Sequence, residues 1–383
     1  MKNNKKPKIG IDARFYGPSG KGLGRYTQEI TDRIIALDSE ADYIVFLSED
    51  NFDSFQIVGE NCKKIKINIR WYSWQEQFIL PFIFLKEKLD LLHFTHFNVP
   101  ILYNRPFVVT IHDLILTKFP SLKATLLSPV MYYLKNIAYR LVINHAIKQS
   151  KAVITVSQFT ANDIIQQFKV SPQKVEITYE GVADSFFGND SQSSQSVLKK
   201  YGIEGKYFLY VGNAYPHKNL DGLLKVFLNF QKRHAEKISL VLVGKEDYFY
   251  TQIKKIAANL KVENVYFPGY VSDQELISFF SQAIFYVFPS FYEGFGLPPL
   301  EAMTRGCPVL SSSQGSLPEI LSSAAHYFNP YSSDDFLKNL EEMYENEELR
   351  SRLRLAGFER IKMFSWQNCA KQTLDIYKKC LIN

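Results

Sequence analysis

At 383 residues, 46% hydrophobic and 22% charged, the chain has ordinary globular composition and room for two domains, each with its own core. Its net charge of +6 resides in residues 1–183, with 23 Lys and Arg against 17 Asp and Glu, whereas residues 184–383 balance at 22 against 22. No recognition motif accompanies the excess, which argues against nucleic acid, and no apolar run reaches the ~18–20 residues of a spanning helix.

The basic N-terminus has no apolar signal core behind it and does not read as a secretory leader. Cys62, Cys307, Cys369 and Cys380 are scattered, as suits reduced thiols in the cytosol. Short apolar runs predict strands over 8–13, 43–47, 91–94, 106–111 and 152–156, alternating with helices over 26–37, 75–88 and 158–168. That alternation is the βαβ pattern of a parallel sheet.

Residues 17–26, Gly-Pro-Ser-Gly-Lys-Gly-Leu-Gly-Arg-Tyr, follow the first strand. Glycines at 20, 22 and 24 miss the Gly-x-Gly-x-x-Gly spacing, so no dehydrogenase is implied, although they permit close backbone approach to a ligand. His93 and His96 have metal-ligand chemistry, but positions three apart on a strand point opposite ways and no third ligand is near. A metal site is therefore rejected there. No Asp-x-Asp stands at a strand end, and the acidic residues at 38–42 read as a solvated turn. His112 and Asp113 end the strand at 106–111. A strand-end histidine is by itself more often structural than catalytic.

From Leu114 to Asn162 there is no acidic residue, while Lys118, Lys123, Lys135, Arg140, Lys148 and Lys151 all fall there. Leu126 to Ile147 is also apolar. Two readings stand side by side: a basic helix on an anionic membrane, or a core helix whose polar face is basic.

The polar stretch 187–196 reads as a linker, giving expected domains of 1–186 and 187–364, with 365–383 a final helix that Ser365 can cap. A second series predicts strands at 207–211, 238–243, 265–267, 283–288 and 308–311. The last loop of note is Pro289-Ser-Phe-Tyr-Glu-Gly-Phe-Gly-Leu-Pro-Pro-Leu-Glu-Ala-Met-Thr-Arg-Gly306. It reads as strand, glycine-bearing loop, helix, with prolines suited to the first turn and Gly306 to the position past the end. Free N–H groups near Gly296 and Leu297 suit an anion. Glu293 and Glu301 would flank a bound phosphate, where two acceptors suit the hydroxyls of a nucleotide sugar. A lone pair of glutamates at this spacing is more often solvated, but the full string is far more specific.

That string resembles the Glu-x7-Glu signature of the family 4 retaining glycosyltransferases, enzymes of bacterial polysaccharide and lipopolysaccharide synthesis. The resemblance implies an α/β GT-B fold, two facing Rossmann-like doubly wound domains with the C-terminal helix crossing back to the first. It implies hexosyl transfer, mannose favoured, from a nucleoside diphosphate sugar to a glycan or lipid-linked acceptor, with retention and without metal or other cofactor. Residue by residue, it assigns catalytic roles to His112 and Glu293. Donor contacts fall to Gly22, Asn213, Lys218, Gly294, Phe295, Gly296, Leu297 and Glu301, with a looser carry-over to Gly269 and Tyr270 at the base. Asn213 stands where the family often has arginine, and His217 or a helix terminus is expected to compensate in part. A cytoplasmic enzyme is implied, peripheral on the inner membrane face if the basic stretch docks there. Two alternatives remain at this point: a GT-B nucleotide-sugar epimerase, or a non-catalytic sugar-nucleotide binding protein.

Overall fold

The computed structural model describes residues 6–17, 21–57, 59–119, 128–188 and 194–382. It divides into two compact units, one of residues 1–181 with 365–383, the other of residues 182–364. The division falls before the expected linker because Asp184–Phe187 belongs to the second unit. There Phe186 sets its ring 6.3 Å from that of Phe280, and Arg305 donates to the carbonyls of Phe186 and Gly188. Residues 189–193 of the expected linker lie outside the described residues.

Unit 1 carries seven parallel strands: β1 Lys8–Asp12, β2 Asp42–Ser48, β3 Cys62–Ile67, β4 Leu91–Phe94, β5 Phe107–Ile111, β6 Ala152–Thr155 and β7 Val175–Ile177. Their order is β3-β2-β1-β4-β5-β6-β7, with Ile11 of β1 opposite Val45 on one side and His93 on the other. β4, β5 and β6 are buried along their whole length, as parallel strands covered on both faces must be. Beneath them Phe46, Phe84, Phe94, Tyr103 and Phe107 pack edge to face at centroid separations of 4.7–6.2 Å. β3 was not foreseen. Its sequence, Cys-Lys-Lys-Ile-Lys-Ile, is that of a lysine-protected edge.

Two helices differ from expectation. The first runs Lys21–Leu37, so Gly22 and Gly24 lie on its first turn rather than in a loop. A Cβ at Gly24 would come 2.1 Å from the Gly17 carbonyl oxygen, so glycine there allows helix and loop to touch. The helix expected over 75–88 is two pieces, Trp74–Phe78 and Leu80–Lys86. Pro81 explains the break, because it has no N–H to continue the ladder. The final helix, Trp366–Ile382, packs on Lys21–Leu37 and against β4 and β6, within unit 1.

Unit 2 carries six parallel strands: β8 Tyr207–Val211, β9 Ser239–Val243, β10 Val265–Gly269, β11 Phe285–Phe288, β12 Val309–Ser312 and β13 Ala325–Phe328. The order is β10-β9-β8-β11-β12-β13. Phe208 and Phe285 stack at 4.3 Å across β8 and β11, with Phe230 edge-on to Phe208 at 5.3 Å. In each sheet the strand order reverses once, between β1 and β4 and between β8 and β11. Ligands of doubly wound sheets bind beyond the carboxyl ends of the strands at such a reversal.

Candidate active site

In unit 2 the loops after β8 and β11 are stitched together. Phe291 N–H donates to the His217 carbonyl at 2.8 Å, and Asn219 Nδ2 donates to the Pro289 carbonyl at 3.2 Å. Asn219 holds a left-handed backbone, φ 57°, one residue after the 3-10 turn Pro216–Lys218. This join brings Lys218 Nζ to 2.6 Å from Glu293 Oε1, with the two side chains only 12% and 9% exposed. The ammonium also lies 5.6 Å from the Phe288 ring centroid.

Glu293 is held by its main chain as well. Ser316 Oγ donates to the Glu293 carbonyl at 3.1 Å and to the Phe295 carbonyl at 3.1 Å. Gly315, at φ 67°, passes so close that a Cβ would sit 2.9 Å from Glu293 N. Gly296, at φ 97°, turns the chain into the helix Leu297–Thr304, and Glu301 is buried on that helix. Phe295 sets its ring edge-on to Phe364 at 5.6 Å, so what it can offer a ligand is backbone. Sequence reasoning missed Ser316 and Gly315. They lie beyond the motif, after β12, and only the fold brings them under Glu293.

Asn213 is engaged with its own loop. Its Oδ1 accepts from Tyr215 N–H at 3.4 Å and its carbonyl accepts from Tyr210 Oη at 2.7 Å. Burial, with Lys218 beside it, pushes the His217 imidazole down to about 4. At pH 7 it is therefore a neutral hydrogen-bonding group beside Lys218. Gly269, at φ 79°, ends β10 with its carbonyl taken by Gly244 N–H at 3.1 Å, and Tyr270 beyond it is exposed.

In unit 1, His112 stands just past the end of β5. Its Nε2 lies 3.1 Å from the Thr95 carbonyl oxygen, its Nδ1 3.3 Å from Glu180 Oε1, and Tyr26 meets its ring edge-on at 4.5 Å. Asp113 accepts from Ile115 N–H at 2.9 Å and so shapes the turn. Gly22 is exposed one helical turn before Tyr26, with open space where a Cβ would be. His93 binds no third group: its two ring nitrogens meet Tyr377 Oη at 2.5 Å and Thr110 Oγ1 at 2.8 Å. Among the described residues no group of three or more His, Cys, Asp and Glu is arranged to hold a metal ion.

Two family models match, one described as glycosyl transferases group 1 over residues 194–360, the other as glycosyltransferase family 4 over residues 20–186. The chain belongs to the family 4 glycosyltransferases. This family 4 chain is 28% identical over 376 residues to the O-antigen chain mannosyltransferase B of Escherichia coli, covering 93% of this chain and 96% of the relative. WaaG, a glycosyltransferase of lipopolysaccharide biosynthesis, superposes at TM-score 0.73 with 17% identity, over 96% and 99% of the two chains. Anabaena HepE, solved with UDP and glucose, superposes at 0.72 with 15% identity, over 98% and 100%. The structural likenesses place the α/β chain in the GT-B fold, and the two family models give its activity as glycosyl transfer.

The basic segment is a surface of its own. Residues 120–127, with Lys123 and Leu126, lie outside the described residues. The helix Pro129–Gln149 buries Ile143, Ala146 and Ile147. Val130 (72% exposed), Leu134 (55%), Ile137 (40%) and Leu141 (58%) form an outward stripe, flanked by exposed Lys135 and Arg140. Tyr139 of this helix meets Phe97 at 5.1 Å, and Phe97 meets Tyr72 at 6.4 Å, next to a row of exposed Trp74, Phe78 and Phe82. Among the described residues no helix is long and apolar enough to cross a membrane.

Proposed function

We propose that the chain is a retaining, metal-independent hexosyltransferase that moves a mannose-like sugar from a nucleoside diphosphate to a glycan or lipid-linked acceptor. The observation that carries this reading is the Lys218–Glu293 pair, set at the β8/β11 reversal beside the start of the helix Leu297–Thr304. A diphosphate entering there gains the ammonium and the helix N-terminus, and frees Glu293 for the sugar. Glu301 accepts from the ribose hydroxyls. The C1–O bond breaks with its electron pair passing to the diphosphate, which Lys218 neutralises in place of a metal. The acceptor oxygen attacks C1 from the same face, and its proton passes to the departing phosphate oxygen. The name of the E. coli relative supports mannose, and the UDP bound to HepE supports a nucleoside diphosphate donor.

The test is a thermal-shift panel of GDP-mannose, GDP and UDP-glucose, each with and without chelator. Stabilisation by GDP-mannose that survives chelation is expected, worth about 2.7 kcal/mol at a hundredfold excess over Kd. Proton NMR of the glycosidic product then reads the anomeric configuration. Inversion would refute retention, and a response abolished by chelator would refute metal independence.

The outward stripe of the helix Pro129–Gln149, flanked by cations, supports docking on the anionic inner face of the cell membrane, where a lipid-linked acceptor is held.

A further inference from the structure

Glu180 is the buried carboxylate that faces His112, 3.3 Å from Nδ1 and 5% exposed. With the Thr95 carbonyl at Nε2 and the Tyr26 ring on the edge, it leaves the imidazole little freedom to turn. Glu180 is itself anchored through its neighbour. A Cβ on Gly181 would sit 2.2 Å from Trp366 N and 2.7 Å from the Ser365 carbonyl carbon, so the backbones at 181 and at 365–366 are in direct contact. Those are the two places where the chain passes between its units, after Gly181 and before Ser365. Trp366 also lies 6.0 Å from Tyr26, the ring that abuts His112.

We propose that Glu180 is a positioning residue of the transfer reaction: its carboxylate fixes the His112 ring, and the Gly181–Trp366 contact fixes Glu180 at the paired crossings of the chain. The inference rests on His112 belonging to the reaction site. A carboxylate there only for stability would act independently of His112, whereas a positioning residue acts through it.

The test is a double-mutant cycle on the full chain, with GDP release from GDP-mannose as the rate. Glu180→Ala is expected to lower kcat about 10–100-fold with little change in donor KM, the signature of misplacing a group by a fraction of an ångström. Glu180→Gln, whose amide oxygen still accepts, recovers part of the loss. His112→Ala combined with Glu180→Ala is expected to be no slower than His112→Ala alone. Losses that multiply, or full kcat in Glu180→Ala, would overturn the proposal. Crystals of the parent and of Glu180→Gln and Glu180→Ala supply a readout independent of the donor. The His112 ring is expected to turn away in the alanine variant and to hold in the glutamine one, and an unmoved ring in the alanine variant would also overturn it. If the parent releases no GDP from GDP-mannose, the donor assignment fails on its own, and the ring position still decides the role of Glu180.

Discussion

Lys218 Nζ lies 2.6 Å from Glu293 Oε1, across two loops that follow strands separated by more than seventy residues of sequence. Each side chain is almost out of water, and each is the other's counter-ion. On the proposed reading a sugar nucleotide would separate these two charges, the cation turning to phosphate and the anion to sugar. Separating a buried pair is costly, so on that reading the donor must give each charge a replacement partner.

Removing one partner strands the other. Lys218→Met is expected to cost about 3 kcal/mol of stability, the range for breaking a buried ion pair, and to abolish binding of GDP-mannose. Glu293→Gln keeps a hydrogen-bond acceptor for the ammonium and should cost far less stability. Its loss is expected in kcat, on the order of 10²–10³. Urea unfolding and steady-state kinetics on both variants check the contrast. Equal stability losses would mean that the pair is not the contact described.

Gly315 supplies a second prediction. At φ 67° with a Cβ position 2.9 Å from Glu293 N, alanine is strained twice over, by its own backbone and by the neighbour's. Gly315→Ala is expected to destabilise by about 1–3 kcal/mol and, by displacing Glu293, to lower kcat more than donor affinity. Gly22→Ala is the control: open space surrounds that position, so stability should change little, by about the helix preference of alanine over glycine. A Gly315→Ala enzyme with parental kcat would show that the loop after β12 does not position Glu293.

What the sequence disclosed and what it hid follow from the range of the forces involved. β8 and β11 were legible because continuous apolar runs of strand length need both faces covered, and the loop 289–306 because glycine and proline mark its turns locally. β3 was illegible because three lysines disguise an edge strand whose partner, β2, lies in another stretch of chain. The helix expected over 75–88 was read as unbroken because apolar spacing outvoted the local effect of Pro81. At the site, Glu293 and Lys218 were named from separate motifs, but their contact is purely tertiary. Glu180 and Ser316 were invisible for the same reason: each acts on a residue that its own neighbours in sequence do not suggest.

Acid should weaken the fold through its neutral histidines. Burial pushes His217 down to about 4 and His93 and His96 to about 3, from an ordinary value of 6.5. Between pH 6.5 and 4 the unfolded chain binds protons that the folded chain refuses, so stability rises with pH there and is lost on acidification. The midpoint of thermal unfolding is expected to hold above pH 7 and to fall progressively from 6.5 toward 4. Removing one such group, in His217→Gln, should flatten the fall. A variant as acid-sensitive as the parent would show that His217 is not excluded from protonation in the fold.

The outward stripe on the helix Pro129–Gln149 gives the last prediction. Val130, Leu134, Ile137 and Leu141 share one face and are all exposed, while Ile143, Ala146 and Ile147 are buried. Lys118 is paired with Asp163 at 2.8 Å, whereas Lys135 and Arg140 are exposed on the helix itself and flank the stripe. Apolar area and cations add on an anionic bilayer, each basic residue contributing about 1 kcal/mol. Flotation with phosphatidylcholine vesicles is expected to recover little protein, and vesicles containing phosphatidylglycerol to recover most of it. Lys135→Gln with Arg140→Gln should weaken that binding about tenfold or more, and Leu134→Glu with Ile137→Glu should abolish it, both without loss of GDP-mannose binding. Equal recovery on neutral and anionic vesicles would refute the electrostatic part. A parent chain that ignores vesicles but runs as a dimer in gel filtration, and as a monomer once Leu134 and Ile137 carry charge, would assign the stripe to a second copy instead.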